Sequence, residues 1–151
     1  MIKLKPFSQS EDKCGPACVK IILDHYGREY SEEELAKIAH TTPDIGTNHE
    51  DLVTAVETLG LTPAVKSNAT LDDLKAYLSK DVPVIVGWWD VDEYHYSVIF
   101  DIDDRQIRMM DPDSETGECT MPIPEFEKVW YDTDSELDTI VRRWMMAIPK
   151  N

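Results

Sequence analysis

The chain has 151 residues, of which 42% are apolar, enough for one hydrophobic core and too few for two. We therefore predict a single domain over residues 1–151. The formal net charge of −15 repels phosphate, so we expect neither nucleic acid nor an anionic membrane surface as a partner. No apolar run approaches the roughly 20 residues of a membrane span. Three cysteines exclude a disulfide scaffold, and the start lacks a secretory signal, so we expect reduced thiols and a cytoplasmic location.

The first half of the sequence predicts helices. Apolar residues recur at helical spacing over residues 14–26, and Gly27 suits the position just past a helix end. Three capping-box patterns predict the starts of further helices, at Ser31 with Glu34, Thr47 with Glu50, and Thr70 with Asp73.

The second half predicts strands. Residues 84–89 form a continuous apolar run, which is typical of a strand covered on both faces. Shorter strands are predicted over 96–100, 107–110 and 141–148, with a short helix over 124–131. Helices followed by antiparallel strands indicate an α+β fold.

Cys14 is the candidate nucleophile. It begins the first predicted helix, and a helix N-terminus carries about half a positive charge, which stabilises the reactive thiolate. Gly15 beside it allows a substrate to approach the backbone closely. The alternative is a buried, inert thiol, which is the usual state of cysteine. For Cys18, one turn later, we expect core packing rather than metal binding.

A thiolate nucleophile requires a base, and position separates the four histidines. His25 lies about 16 Å from Cys14 along the helix axis, at roughly 1.5 Å per residue. His40 closes the second helix, and His49 lies in the first turn of the third, where we expect it to be solvated. His95, at the head of a predicted strand, is therefore the candidate base.

Asp111 is the candidate orienting group for His95. If the strands around 96–100 and 107–110 form a hairpin that turns at residues 103–104, the numbers of paired residues sum to about 206 or 207. Asp111 then lies opposite His95 or one step away, where its carboxylate can accept the imidazole N–H. The alternative is an ordinary strand-ending turn at Asp111-Pro112. For the oxyanion, the candidate donors are the backbone N–H of Cys14 and the side chain of Gln9.

Four sequence elements together resemble the papain-like cysteine peptidases that process bacteriocin and related leader peptides, family thirty-nine of the cysteine peptidases. They are Gln9, Cys14-Gly15-Pro16-Ala17-Cys18, His95-Tyr96-Ser97-Val98-Ile99 and Asp111-Pro112. The resemblance covers roughly residues 7–131. It implies a papain-like α+β fold with Cys14 as nucleophile, His95 as base, Asp111 as orienting residue and Gln9 in the oxyanion hole.

The resemblance implies a peptide or protein substrate, cleavage through a thioester acyl-enzyme, and neither a metal nor an organic cofactor. Exporter peptidases often carry Asp where this sequence has Lys13, and no transporter domain follows, so we expect a stand-alone relative. Two alternatives stay open: an inactive peptide-binding domain of the same fold, and a cysteine acyltransferase or amidase. The sequence makes no prediction of oligomeric state.

Overall fold

The computed structural model describes residues 1–43, 46–114, 116–134 and 139–150. The helices in these ranges are α1 Cys14–His25, α2 Glu32–Ile38, α3 His49–Thr58, α4 Leu71–Leu78 and α5 Ile123–Val129. The strands are β1 Ala64–Lys66, β2 Val84–Asp90, β3 Glu93–Ile102, β4 Gln106–Met110, β5 Glu118–Pro122, β6 Tyr131–Asp134, β7 Thr139–Arg142 and β8 Met145–Ala147. The fold is α+β, as predicted.

Six of the strands form one antiparallel sheet in the order β1-β8-β2-β3-β4-β5. The remaining pair, β6 and β7, forms a separate antiparallel ribbon. Within the described residues, no helix is long and apolar enough to cross a bilayer.

The large sheet is covered on both faces, which explains the continuous apolar run of β2. Ile85 packs into a core with side chains from α1, α2 and α3. Val84 and Val86 point the other way, into a second core that includes Leu74 of α4 and residues at the end of α5. Alternation along a strand places neighbouring side chains on opposite faces, so both faces of β2 must be apolar.

Two of the three predicted capping boxes are confirmed. Ser31 and Thr70 each accept a bond from the backbone three residues later, and the return bonds are also present. The box at Thr47 is wrong, because α3 begins one residue later and Asn48 caps it by accepting from the N–H of Asp51. The hydroxyl of Thr47 instead contacts that of Thr41.

The single predicted strand over 141–148 is also wrong. The chain forms β7 and β8 instead, which belong to different sheets. Arg143 between them has a φ of 52°, a left-handed conformation that interrupts a strand. The break lets Trp144 turn inward, where it is buried.

Candidate active site

Cys14 is the first residue of α1 and is half-buried. The N–H groups of a first helical turn have no acceptor within the helix, so this end can donate to an anion. There is no acidic residue in the first turn of α1 to oppose a thiolate. Gly15 permits close packing here, because a Cβ at that position would lie 3.2 Å from the side chain of Thr47.

His95 and Asp111 form a buried pair. The His95 Nε2 and Asp111 Oδ1 atoms are 2.5 Å apart, and the two side chains are only 2% and 8% exposed. The same carboxylate oxygen accepts a 3.0 Å bond from the backbone N–H of Asp113. These bonds hold the carboxylate in place and leave the Nδ1 atom of His95 for another contact.

Cys14 lies close enough to His95 for the two side chains to interact. Burial lowers the pKa of His95, but the bonds to Asp111 and Cys14 outweigh it and raise the pKa to about 10. His95 is therefore an imidazolium at neutral pH and places a positive charge beside the sulfur. A cation beside a thiol favours the thiolate, the form that attacks carbonyl carbon.

Asp111 reaches His95 by a different strand register from the predicted one. The paired residues of β3 and β4 sum to 209 near the turn, as for Ile102 with Ile107, and to 208 beyond a bulge, as for Val98 with Met110. The predicted sum of 206 or 207 is therefore wrong. The ladder ends at Met110, and Asp111 lies just past it, where its N–H donates to Gly117. The predicted proximity nevertheless occurs.

Gln9 lies in the same cleft as Cys14 and His95. Its backbone N–H donates to the carbonyl of Pro112, 2.9 Å away, which ties the N-terminal segment to the Asp111-Pro112 turn. Its side-chain nitrogen makes only a long 3.4 Å bond to the carbonyl of Ser10. Its Oε1 atom is buried and finds no hydrogen-bond partner among the described residues. The amide is therefore only weakly held.

The cleft has a volume of about 530 Å³. The α1 end contributes Gln9, Glu11, Asp12 and Cys14, the segment before and within α3 contributes Pro43, Gly46, Thr47, Asn48 and His49, and the strands and turns contribute Glu93, Tyr94, His95, Tyr96, Asp113, Asp132 and Thr133. Neither lysine nor arginine is among these residues.

The sequence reasoning missed a second, half-buried histidine–carboxylate pair in this cleft. The Nε2 atom of His49 lies 2.9 Å from the Asp132 carboxylate, and the two side chains are 16% and 6% exposed. The expectation of a solvated His49 is therefore wrong. Asp132 belongs to β6, 83 residues further along the chain, so no local pattern could have predicted the pairing. The only hint was a histidine in a first helical turn, where a lone cation is unfavourable.

Asp90, His95 and Asp111 could together present ligands to a cation, because their ligand atoms lie within 4.8 Å of one another. Such an ion would compete with the bond between His95 and Asp111. Burial raises the pKa of Asp90, the charge of His95 lowers it, and that of Asp111 raises it further.

The other two cysteines lie apart from this chemistry. Cys18 is fully buried in the core, as expected, and burial raises its pKa well above the usual value. Cys119 lies in β5, where burial raises the thiol pKa first and the nearby carboxylates raise it further. Burial and raised pKa both slow alkylation, so Cys18 and Cys119 serve as internal standards for Cys14.

A sheet flanked by helices, with a cysteine at a helix start facing a buried histidine–aspartate pair, is the arrangement of a papain-like cysteine peptidase. Residues 5–133 match the model of the Peptidase C39 family, and the chain belongs to this family. The predicted family and fold are thus confirmed.

Curated relatives include two transporters. The chain is 30% identical to the lactococcin-G-processing and transport ATP-binding protein LagD of Lactococcus lactis over 82% of this chain and 17% of that protein. It is 32% identical to the pediocin PA-1 transport/processing ATP-binding protein PedD of Pediococcus acidilactici over 80% of this chain and 16% of that protein. The chain thus spans about a sixth of these transporters. A protein of Methanothermobacter thermautotrophicus is 34% identical over 78% of this chain and 75% of its own length.

Solved structures show the same fold. The peptidase domain of Streptococcus ComA, a bifunctional ABC transporter, superposes with a TM-score of 0.74 at 22% identity, covering 99% of this chain and 100% of that one. A double-glycine-motif protease from an AMS/PCAT transporter, solved with its leader peptide, gives a TM-score of 0.70 at 18% identity, covering 98% of this chain and 93% of that one.

Proposed function

We propose that this protein, acting as a single domain, is a cysteine peptidase that hydrolyses a peptide bond through Cys14, His95 and Asp111. The observation that carries the proposal is the buried bond between His95 and Asp111, with Cys14 beside His95 in the same cleft. A nucleophile, a base and an orienting group in contact satisfy the requirement for covalent catalysis by a thiol.

In the first half of the reaction, the Sγ thiolate of Cys14 bonds to the carbonyl carbon, and the C=O electron pair moves onto oxygen. The N–H of Cys14 and the amide of Gln9 donate to this oxyanion. Gln9 can turn toward it at little cost, since among the described residues its side-chain nitrogen need release only the long 3.4 Å bond to Ser10. The C–N bond then breaks, and His95 gives its proton to the leaving amine.

In the second half, neutral His95 takes a proton from water, and the resulting hydroxide attacks the thioester carbonyl. The C–S bond breaks, which frees the new carboxylic acid and restores the thiolate–imidazolium pair. Asp111 accepts a hydrogen bond from His95 throughout and keeps the ring aimed at Cys14.

The substrate we propose is a peptide with a leader segment. LagD and PedD are named for processing as well as transport, and the AMS/PCAT protease was solved with its leader peptide. A double-glycine leader peptide is therefore the first substrate to test.

The decisive measurement is the rate of iodoacetamide alkylation at each cysteine against pH, by mass spectrometry, on the wild type and on His95→Ala. An ordinary thiol is only about 0.3% thiolate at pH 6, given a pKa of about 8.5. We expect Cys14 of the wild type to react rapidly at pH 6 and to lose this advantage in His95→Ala. If Cys14 reacts no faster than Cys119, the site is not assembled as proposed.

Turnover is tested with a double-glycine leader peptide, and Cys14→Ala is the control. We expect cleavage by the wild type and none by the variant, with the fold retained. An added amine or thiol that captures the acyl group would instead assign an acyltransferase. A reactive Cys14 that binds the peptide without cleaving it would assign a binding domain.

A further inference from the structure

The second histidine–carboxylate pair in the cleft is held on every side. The Nδ1 atom of His49 contacts the Tyr96 hydroxyl at 2.8 Å, and Nε2 contacts Asp132 at 2.9 Å. The ring stacks on Trp144, with centroids 4.1 Å apart and planes 10° from parallel. Both ring nitrogens of His49 are occupied, so neither is available to bind a substrate. Any effect of the pair on the reaction must therefore pass through the residues around it.

Those neighbours flank both reacting residues. The Tyr96 hydroxyl donates to the backbone carbonyl of Thr47 at 3.0 Å, and Tyr96 directly follows His95 in β3. The side chain of Thr47 in turn packs against Gly15, which directly follows Cys14. A continuous set of contacts therefore runs from the strand of the base to the helix end of the nucleophile.

We propose that His49 and Asp132 are positioning residues that set the separation between Cys14 and His95. The proposal rests on the proposed function, because it assumes that these two side chains react as a pair. Cys14 and His95 come from different layers of the fold, and contacts between backbone segments must hold them in register. Misplacement of a reacting group by about 1 Å costs on the order of a hundredfold in rate.

Asp132 fixes the orientation of the His49 ring. A carboxylate only accepts hydrogen bonds, so Nε2 of His49 donates to Asp132. The Tyr96 hydroxyl donates to the carbonyl of Thr47, and its oxygen also contacts Nδ1 of His49. The ring is therefore held at both nitrogens.

Gly87 makes room for this arrangement. It pairs with Tyr96 across β2 and β3. A Cβ at this position would lie 2.2 Å from Oδ2 of Asp132 and 3.2 Å from Cε1 of His49. Only a residue without a side chain lets the carboxylate lie against the sheet. Gly87→Ala should therefore displace the pair without removing any of its polar groups.

The test is the pH profile of Cys14 alkylation by iodoacetamide in His49→Gln and Asp132→Asn. We expect each variant to slow the alkylation of Cys14 at pH 6 by about tenfold or more. Because the two residues act as a unit, the double variant should react no more slowly than the slower single variant. Gly87→Ala should give the same defect. The matched controls are His25→Gln, an exposed histidine of α1, and Asp51→Asn, whose partner His40 is 72% exposed. Both controls should keep the wild-type profile.

Cys18 separates positioning from unfolding in the same samples, because it is fully buried and reacts only when the core opens. If alkylation of Cys18 shows that a variant has lost its core, Tyr96→Phe is tested in place of that variant. This substitution removes the hydroxyl group that contacts His49 and keeps the aromatic ring. If Cys14 reacts at the wild-type rate in these variants but slowly in His95→Ala, the positioning role is wrong and the proposed function stands. A slow Cys14 in the wild type would overturn the proposed function instead.

Discussion

At the scale of single residues, His95 is subject to opposing influences. Burial lowers its pKa, while hydrogen bonds to Asp111 and Cys14 raise it to about 10. The folded protein therefore holds a proton on His95 at pH values where the unfolded chain, with a histidine pKa of about 6.5, has lost it. Protonation and folding are thus coupled at this residue.

This coupling predicts how stability depends on pH. A raised histidine pKa gives stability that is fully present below about pH 6.5 and is lost as the pH rises toward 10. Because the proposed thiolate of Cys14 has given up a proton that the unfolded chain keeps until about pH 8.5, we expect the free energy of unfolding to fall chiefly above that pH, and more steeply in the wild type than in His95→Ala. Urea denaturation of both proteins at pH 6, 8 and 9.5 measures the difference. Parallel curves would mean that His95 is not held as an imidazolium.

Asp111 should matter less than His95 for the reactivity of Cys14. In the proposed site His95 interacts directly with Cys14, whereas Asp111 acts through the ring to which it is bonded. We expect His95→Ala to slow alkylation of Cys14 at pH 6 by about 300-fold, the full loss for an ordinary thiol, and Asp111→Ala by less. Asp113→Ala is the control, because only its backbone contacts Asp111 among the bonds described for it. A larger loss in Asp111→Ala would contradict the assigned roles.

At the scale of elements, the hairpin of β2 and β3 carries His95 and ends in a strained turn. Val91 at its tip has a φ of 53° and is 81% exposed. A left-handed conformation costs an L-residue about 1–2 kcal/mol, and a branched Cβ makes it especially unfavourable. Asp92 beside it donates to the carbonyl of Asp90 at 2.6 Å, which closes the turn.

Val91→Gly should therefore stabilise the protein. Relief of the strain exceeds the entropy that glycine adds to the unfolded chain, so we expect the free energy of unfolding to rise by about 0.5–1 kcal/mol. The matched control is Asp92→Gly, where φ is not positive and the added entropy should lower stability. Urea denaturation at pH 7 measures both. Destabilisation by Val91→Gly would show that the side chain at the tip contributes contacts that outweigh the strain.

At the scale of the whole molecule, we expect charge to influence which reagents reach the site. The chain carries a net charge of −15, and Glu11, Asp12, Glu93, Asp113 and Asp132 line the cleft. Such a field repels anions approaching from solution, and salt screens it with a Debye length of about 10 Å at 0.1 M.

Two alkylating reagents that differ in charge test this effect. Iodoacetate is an anion and iodoacetamide is neutral, while both attack the same sulfur. We expect the ratio of their rates at Cys14 to rise severalfold in favour of iodoacetate between 10 mM and 500 mM NaCl, because only the anion gains from screening. The same ratio for free cysteine provides the baseline. An unchanged ratio would mean that the charge of His95 dominates the local field.

Local rules determined the features that depend on neighbours in sequence. The capping boxes at Ser31 and Thr70 and the helix that begins at Cys14 depend on contacts three or four residues apart, which a sequence displays directly. The covered strand over 84–89 follows from its composition alone. The candidate residues Cys14, His95, Asp111 and Gln9 could be selected from the sequence and its family resemblance. The structure brings Cys14, His95 and Gln9 to one cleft, with Asp111 bonded to His95.

Tertiary structure alone decided what depends on distant segments. The bulge in β3, which shifts the register toward Asp111, arises where two strands adapt to one core, and the break at Arg143 arises where Trp144 turns inward. The pairing of His49 with Asp132 joins residues 83 positions apart. A sequence records which groups are available, but only the packed fold determines which of them share a buried site, because burial decides which charges must find a partner.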